Sequence, residues 1–324
     1  MSFTPEAART LPSTTARPDS RTYTPEQNIS RNTSVAIRLH DVRSAPVSWW
    51  LWWNVLSLDA PAVACTWSLL LLRSRGVTVH AADILALFFA VWLIYTSDRL
   101  LDSLKPKASP LQARHSFCGN HRVVFASLVL IFGPALLWLS VERLEAPTLG
   151  AGVILGVIVA FYLASIHAGP AGLSHLLPKE IAVGMIFAAG TSVPVWSRSG
   201  GLTPHSIVVS LLFGLLCSLN CLSIECWERP RFGGHWRRPS SAWISWADRH
   251  LSTLGLCVAI AAILAAVLSG SDHSSRIPLL VISFAALLTV ILNARRESLS
   301  PEALRVLADA ALLLPALAAL ALFY

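Results

Sequence analysis

Two acidic residues close an apolar segment at a spacing that places both carboxylates on one helix face. Asp98 and Asp102 end the stretch VWLIYTSDRLLDSLKPK and are four residues apart, with Tyr95 one turn before Asp98. Two carboxylates one turn apart at a membrane boundary can hold Mg²⁺, which prefers hard oxygen ligands and commonly bridges to substrate phosphates. The alternative interpretation is that Asp98, Arg99 and Asp102 are interfacial charges that end a membrane span.

A second acidic pair ends another apolar segment. Glu225 and Glu228 lie in LLCSLNCLSIECWERPRFGG, and Asn220 lies about a turn and a half deeper in the same predicted helix. A pair of acids whose side chains extend from a helix end into the interface would give the same pattern. If both segment ends lie on the same side of the membrane, the two pairs can face one another and hold a Mg²⁺-bound diphosphate.

A diphosphate also needs cations. Lys179 opens the apolar segment LPKEIAVGMIFAAGT, and Arg114, His115, His121 and Arg122 crowd the segment that follows Asp102. Lysine binds phosphate as a point charge, and arginine binds it as a bidentate fork. Membrane topology alone also places basic residues here. Lys179 is the favoured phosphate ligand because it is the only Lys or Arg in its predicted loop.

Two further acids lie inside apolar segments. Asp59, in NVLSLDAPAVACTW, is predicted near the middle of the first span, where an acid is costly and is therefore functional or internally paired. Asp309, in the last span, is one turn from Arg305. We expect these two residues to form a structural ion pair.

The composition predicts that these side chains belong to a membrane protein. Of the 324 residues 54% are hydrophobic and 13% are charged, and the mean hydropathy is +0.60. Soluble domains carry roughly a quarter charged residues.

The net charge of +7 does not indicate nucleic-acid binding, because the basic residues fall between apolar runs without interleaved aromatics. The six cysteines include no CxxC pair and predict neither a disulfide framework nor a zinc site.

The apolar runs predict an all-α polytopic fold. A bilayer core needs roughly 20 apolar residues of helix to cross it, and a scan at that length predicts about nine spans. They follow a disordered tail over residues 1–45 and make up a membrane domain over residues 46–324. The predicted spans cover approximately 46–72, 82–101, 121–141, 148–167, 179–197, 204–227, 250–269, 276–293 and 302–323.

Basic residues predict the orientation of these spans. With a cytoplasmic N-terminus, the outside keeps Arg73, Arg75, Arg143, Arg198 and Arg276, and most other Lys and Arg residues lie inside. This asymmetry is the positive-inside pattern. It places both acidic pairs and Lys179 on the cytoplasmic side. We expect a multi-pass protein of the cell membrane, of the bacterial inner-membrane kind.

From about residue 46 to its end, the chain resembles the UbiA-type intramembrane prenyltransferases. Members of this family have nine helices around a central cavity, a cytoplasmic N-terminus and acidic motifs at the ends of the second and sixth helices. The stretch Ile94–Asp102 resembles the form N-D-x-x-D-R-x-x-D, with Ile94 and Tyr95 in place of Asn and Asp. Lys179 is similar to the lysine that opens the family's fifth helix. In the second motif, Asn220, Glu225 and Glu228 stand where aspartates are usual.

The resemblance implies Mg²⁺-dependent transfer of an isoprenoid group from its diphosphate to a hydrophobic acceptor, aromatic or lipid, within the membrane. It assigns catalysis and metal binding to Asp98, Asp102, Glu225 and Glu228. Together with the charge and position of the other polar side chains, it predicts substrate binding by Tyr95, Arg99, Arg114, Lys179, Asn220 and Asp59. Metal ions and cations stabilise a departing diphosphate, and a dry cavity protects the allylic cation until the acceptor captures it.

Two other functions are open from the sequence. The missing Asn and Asp of the first motif favour a catalytically silent relative that binds a prenyl lipid or a partner protein. A small-solute transporter would carry ionisable groups near the midplane at broken helices, where only Asp59 clearly qualifies. Phospholipid-type alcohol transferases need an Asp-Gly pair, which this chain lacks.

Overall fold

A computed structural model describes residues 56–104, 121–167, 178–228, 231–232, 235–236, 242–270 and 273–323. The tail predicted over residues 1–45 lies outside these ranges, as does Arg114 together with most of the polar segment that follows Asp102.

Long helices form the described part of the chain. They are α1 (Asp59–Ser74), α2 (Ala81–Leu104), α3 (Arg122–Arg143), α4 (Ala146–His167), α5 (Lys179–Arg198), α6 (Pro204–Glu228), α7 (Ala242–Leu268), α8 (His273–Ala294) and α9 (Pro301–Leu320). The two-residue strands β1 (Arg231–Phe232) and β2 (His235–Trp236) pair antiparallel between α6 and α7, and a 3-10 turn, Ala321–Phe323, follows α9. Within the described ranges, the eight helices from α2 to α9 are long and apolar enough to cross a membrane. The predicted all-α polytopic membrane fold is confirmed.

Contacts between helix termini identify one end of the bundle. The last residue of α4, His167, contacts Asp98 near the end of α2, and the first residue of α5, Lys179, contacts Glu225 near the end of α6. These termini therefore lie together, as they must when consecutive helices run in alternating directions. We call this end, where α2, α4 and α6 finish and α5 and α9 begin, the ionic end.

Helices α1 and α6 form the centre of the bundle. Helix α1 packs against α2, α5, α8 and α9, and α6 packs against α5, α7, α8 and α9. Trp67 of α1 is fully buried and stacks on Phe213 of α6 with ring centroids 4.3 Å apart. Its Nε1 donates to the carbonyl oxygen of Leu312 in α9 at 3.0 Å. One side chain thus joins three helices and satisfies its own buried donor.

Helices α5 and α6 approach so closely at Gly184 that no side chain fits there. A Cβ on Gly184 would lie 2.3 Å from the backbone nitrogen of Ser218. The small residue therefore sets the separation of these helices, as small residues do where transmembrane helices pack. The same two helices carry Lys179 and Glu225 to the ionic end.

Helices α3 and α4 lie at the periphery of the bundle. Only 6% of the apolar window of each is buried inside the protein, against 61% for α6. Their exposed side chains include Leu130, Ile131, Ile154 and Phe161. A helix that is apolar on nearly every face and yet exposed has the composition of a lipid-facing span.

A buried ion pair stabilises the end of the bundle opposite the ionic end. Nε of Arg198, the last residue of α5, lies 2.8 Å from Oδ2 of Asp83 in the first turn of α2. Nη1 of Arg198 also lies 3.2 Å from Oε1 of Glu145, a residue of the short link between α3 and α4. Both members of the Arg198–Asp83 pair are almost fully buried, so each charge depends on the other.

The first helix differs from the sequence-based prediction. Asp59, expected near the middle of the first span, is the first residue of α1. Pro61 lies in the first turn, where its missing N–H costs no intrahelical hydrogen bond. Just before the helix, Ser57 has a φ of 59°, which belongs to a turn.

Candidate functional site

The acidic end of α2 is held against the end of α4. Nε2 of His167 lies 3.0 Å from Oδ1 of Asp98, with the imidazole largely buried and the carboxylate half-exposed. His167 was not among the predicted site residues. Its position as a polar residue closing an apolar run of Gly, Ala and Val is the sequence feature that could have drawn attention to it.

The lysine predicted as a phosphate ligand bridges two helices. Nζ of Lys179 lies 3.3 Å from Oε2 of Glu225 and 3.9 Å from Oε1 of the neighbouring Glu180. The Lys179 side chain is 59% exposed, so it can exchange these partners for another anion. Glu180 is buried and was also missed, because a Lys-Glu sequence at a helix start is ordinary on a surface.

Glu228 forms an ion pair with Arg305, which lies in the first turns of α9. Oε1 of Glu228 is 2.5 Å from Nη1 of Arg305. Both side chains are about four-fifths buried. The pairing expected within α9, between Arg305 and Asp309, is part of a wider network. Arg305 lies close enough to Asp309 to attract it, but its guanidinium contacts Glu228 across the helix interface.

A polar cluster lies below the ionic end. Nδ2 of Asn220 donates to Oδ1 of Asp309 at 3.3 Å, and the carboxyl group of Asp59 lies beside that of Asp309. Asp59 and Asn220 are both buried. Residues far apart in sequence, on α1, α6 and α9, therefore meet at one point.

This cluster borders a small cavity, which we call the central cavity. Its empty volume is about 330 Å³, including the part that opens to the surroundings. Helices α1, α2, α5, α6 and α9 line it. Val63, Phe187 and Leu312 are among its apolar lining residues, and its polar ones include Tyr95, Asn220 and Asp309.

The predicted site residues thus separate into two levels. Asp98, Lys179, Glu225 and Glu228 lie at the ionic end, Tyr95 and Asn220 line the central cavity, and Asp59 lies beside Asp309 of its wall. Arg99 is buried and lies near enough to Arg305 for the two guanidinium groups to repel each other. Asp102 is partly buried one turn beyond Asp98 on α2. Arg114 lies outside the described residues.

The carboxylates at the ionic end are engaged with nitrogen groups. Asp98 contacts His167, and Glu225 and Glu228 are paired with Lys179 and Arg305. Over the ranges that the structure describes, no three His, Cys, Asp or Glu side chains are grouped so as to hold a metal ion. The oxygen donors are of the kind that Mg²⁺ prefers, but this arrangement does not fit a metal centre. The Mg²⁺ site therefore stays a prediction.

No protein-family model, curated protein or solved structure matches this chain. The resemblance to the UbiA-type enzymes therefore depends on the motifs in the sequence.

Proposed function

We propose that this protein is a membrane prenyltransferase that binds an isoprenoid diphosphate at its ionic end. The observation that carries the proposal is the convergence of both acidic motifs and Lys179 at one end of the bundle, next to a largely apolar cavity. We further propose that the protein lies in the cell membrane with the ionic end facing the cytoplasm, as the distribution of Lys and Arg predicts.

The arrangement of cations favours an anionic ligand. Arg99 of α2 lies near Arg305 of α9, so two guanidinium groups are close together at this end of the bundle. Lys179 is exposed enough to turn from Glu225 toward a phosphate oxygen. Positive groups at this position stabilise the charge on diphosphate as it leaves, which is the transition-state interaction that prenyl transfer needs most.

The central cavity suits the second part of the reaction, in which the allylic cation is protected until the acceptor captures it. Val63, Phe187 and Leu312 contribute an apolar surface that excludes water from a reactive allylic cation. The rings of Tyr95 and Phe187 can stabilise such a cation through their faces.

A second candidate function is binding of a prenyl diphosphate without turnover. The observation that favours it is that Asp98, Glu225 and Glu228 each contact a nitrogen group and so are not grouped around a metal position. In that case the ionic end would recognise the diphosphate through its cations, and the reaction would not follow.

The test uses the purified full chain in lipid nanodiscs with farnesyl diphosphate as the probe. Binding is measured by filter retention of radiolabelled farnesyl diphosphate, and turnover by diphosphate release with and without Mg²⁺. Lys179→Gln is expected to weaken binding by roughly ten- to a hundredfold, because a charge-assisted contact is lost. Arg276→Gln, an exposed change at the opposite end, is the matched control and should bind as the wild type does.

The outcomes separate the two candidates. Mg²⁺-dependent release that is lost in Asp98→Asn and in Asp102→Asn supports the transferase. Binding without release under any of these conditions supports the silent binder. Release that survives both aspartate substitutions would refute the site, and the absence of any farnesyl diphosphate binding would refute both candidates.

A further inference from the structure

A partly buried arginine lies at the end of the bundle opposite the ionic end, and no carboxylate of the described chain contacts it. Arg75 follows the last residue of α1, and its Nη2 donates to Oγ1 of Thr203, just before α6, at 3.0 Å. Within the described ranges this is the one side-chain hydrogen bond of the guanidinium. Two of its three nitrogens therefore keep donors that are available to another molecule.

Three other partly buried arginines have the counter-ion that Arg75 lacks. Arg198, Arg296 and Arg305 each place a guanidinium nitrogen within 2.8 Å of a carboxylate oxygen. A cation that has lost part of its hydration is stabilised by a nearby opposite charge. Arg75 is partly buried in the same way, but its contact is a neutral hydroxyl. An anion from outside the chain can supply the missing charge.

The groups near Arg75 do not neutralise it. Thr203 caps α6, because its Oγ1 also accepts from the backbone N–H of Ser206 at 3.2 Å, and the N-terminus of a helix carries a partial positive charge. Arg73, in the last turn of α1, is a further exposed cation on the same helix.

The acids described at this end of the bundle lie elsewhere. Asp83 and Glu145 both contact Arg198. Glu142 is exposed near the end of α3, which packs against α2. The charge around Arg75 is therefore positive in the described part of the chain.

The position of Arg75 matches the depth of lipid headgroups. Thr203 immediately precedes α6, one of the helices long and apolar enough to cross a membrane, so the guanidinium that bonds to it lies at the boundary of the apolar layer. Leu202 and Ile207, on either side of Thr203 in the chain, are exposed apolar side chains. Arg75 also borders a crevice between α1, α5, α6 and α8, so part of it faces open space.

We propose that Arg75 binds the phosphate of an anionic phospholipid. The planar guanidinium forms bidentate pairs with phosphate oxygens, and basic sites between transmembrane helices bind anionic headgroups. A lipid with a net negative charge supplies the counter-ion that Arg75 lacks, whereas a zwitterionic lipid brings its own cation. The acyl chains lie against the exposed apolar side chains beside Thr203. This inference does not depend on the proposed function, because the two sites are at opposite ends of the bundle.

The experiment compares phosphatidylglycerol with phosphatidylcholine, the two lipids having the same acyl chains. Binding of each lipid to the purified full chain in one detergent is measured by native mass spectrometry. The wild type is expected to bind phosphatidylglycerol about fivefold more tightly, which is the effect of one basic residue on an anionic lipid. The preference should persist in millimolar inorganic phosphate, because the acyl chains contribute to binding.

Two substitutions of Arg75 test the assigned group. Arg75→Gln should bring the affinities for the two lipids within about twofold of each other, because the charge is lost. Arg75→Lys keeps the charge but not the bidentate fork, so its preference should lie between those of the wild type and Arg75→Gln. Arg143→Gln is the matched control: it removes an exposed guanidinium from the same end of the bundle and should keep most of the preference. Thermal unfolding verifies that each variant folds, and Arg75→Lys replaces Arg75→Gln if the latter does not.

A preference for phosphatidylglycerol that is lost in the Arg75 variant and kept in Arg143→Gln supports the lipid site. Equal binding of the two lipids by the wild type, or equal losses of preference in the Arg75 variant and in Arg143→Gln, would overturn it. Displacement of phosphatidylglycerol by inorganic phosphate would also overturn it, since the site would then be one for a free anion. The farnesyl diphosphate assay, run on the same samples, should give the same result for Arg75→Gln as for the wild type, so the two proposals stand or fall separately.

Discussion

Replacing Gly184 by alanine is expected to force α5 and α6 apart. The added Cβ would lie 2.3 Å from both the backbone nitrogen and Oγ of Ser218, and 2.6 Å from its Cα. Ordinary van der Waals contact begins at 3.4 Å, so one helix must move by about 1 Å relative to the other. Backbone atoms cannot rotate out of the way as a side chain can. Overpacking of this kind costs about 1–3 kcal/mol, and a backbone contact places Gly184→Ala at the upper end of that range.

The measurement is thermal unfolding of the purified protein in one detergent, followed by circular dichroism. Gly184→Ala should unfold several degrees below the wild type and should also weaken farnesyl diphosphate binding, because the same two helices hold Lys179 beside Glu225.

Two other glycines provide controls. A Cβ at Gly214 would meet the flexible end of Met185, and one at Gly156 would meet nothing within 4 Å, so both alanine variants should unfold near the wild-type temperature. If Gly184→Ala were as stable as Gly156→Ala, the close approach of α5 and α6 would be refuted.

Two further substitutions test contacts at other points of the bundle. Arg198→Leu leaves the Asp83 carboxylate buried without its partner and should cost about 3–5 kcal/mol in the free energy of unfolding, whereas Glu145→Gln, at a half-exposed partner, should cost under about 1 kcal/mol. Equal losses in chemical denaturation would contradict the buried pair. Trp67→Phe keeps an aromatic ring but removes the donor to Leu312, and should cost about 1 kcal/mol or more by the same measurement. No loss would show that this hydrogen bond does not stabilise α9.

The spans could be predicted where polar residues bracket an apolar run. Predicted ranges of 121–141 and 204–227 correspond to α3 (Arg122–Arg143) and α6 (Pro204–Glu228), because helix length is set by the thickness that the helix must cross. Helix α1 was less predictable. Its apolar surroundings continue on both sides of Asp59, and the turn at Ser57 is a backbone feature with no hydropathy signal.

The acidic pairs could be found from the sequence because their spacing is local to one helix. Their partners could not be. His167 meets Asp98 across 69 positions, and Arg305 meets Glu228 across 77, through helix packing that no local pattern encodes. The meeting of Asp59 with Asp309 is less predictable still, since it joins the first described helix to the last.

The exposed position of α3 makes this helix sensitive to its lipid surroundings. Arg122 and Arg143 begin and end it, and at 1.5 Å per residue they lie about 32 Å apart along the axis, close to the thickness of a hydrocarbon core. Few protein contacts oppose a change of inclination, because only 6% of its apolar window is buried. In a thinner bilayer the helix must lean further to keep both guanidinium groups at the headgroups. Its angle to the rest of the molecule is then a property of the membrane as much as of the chain.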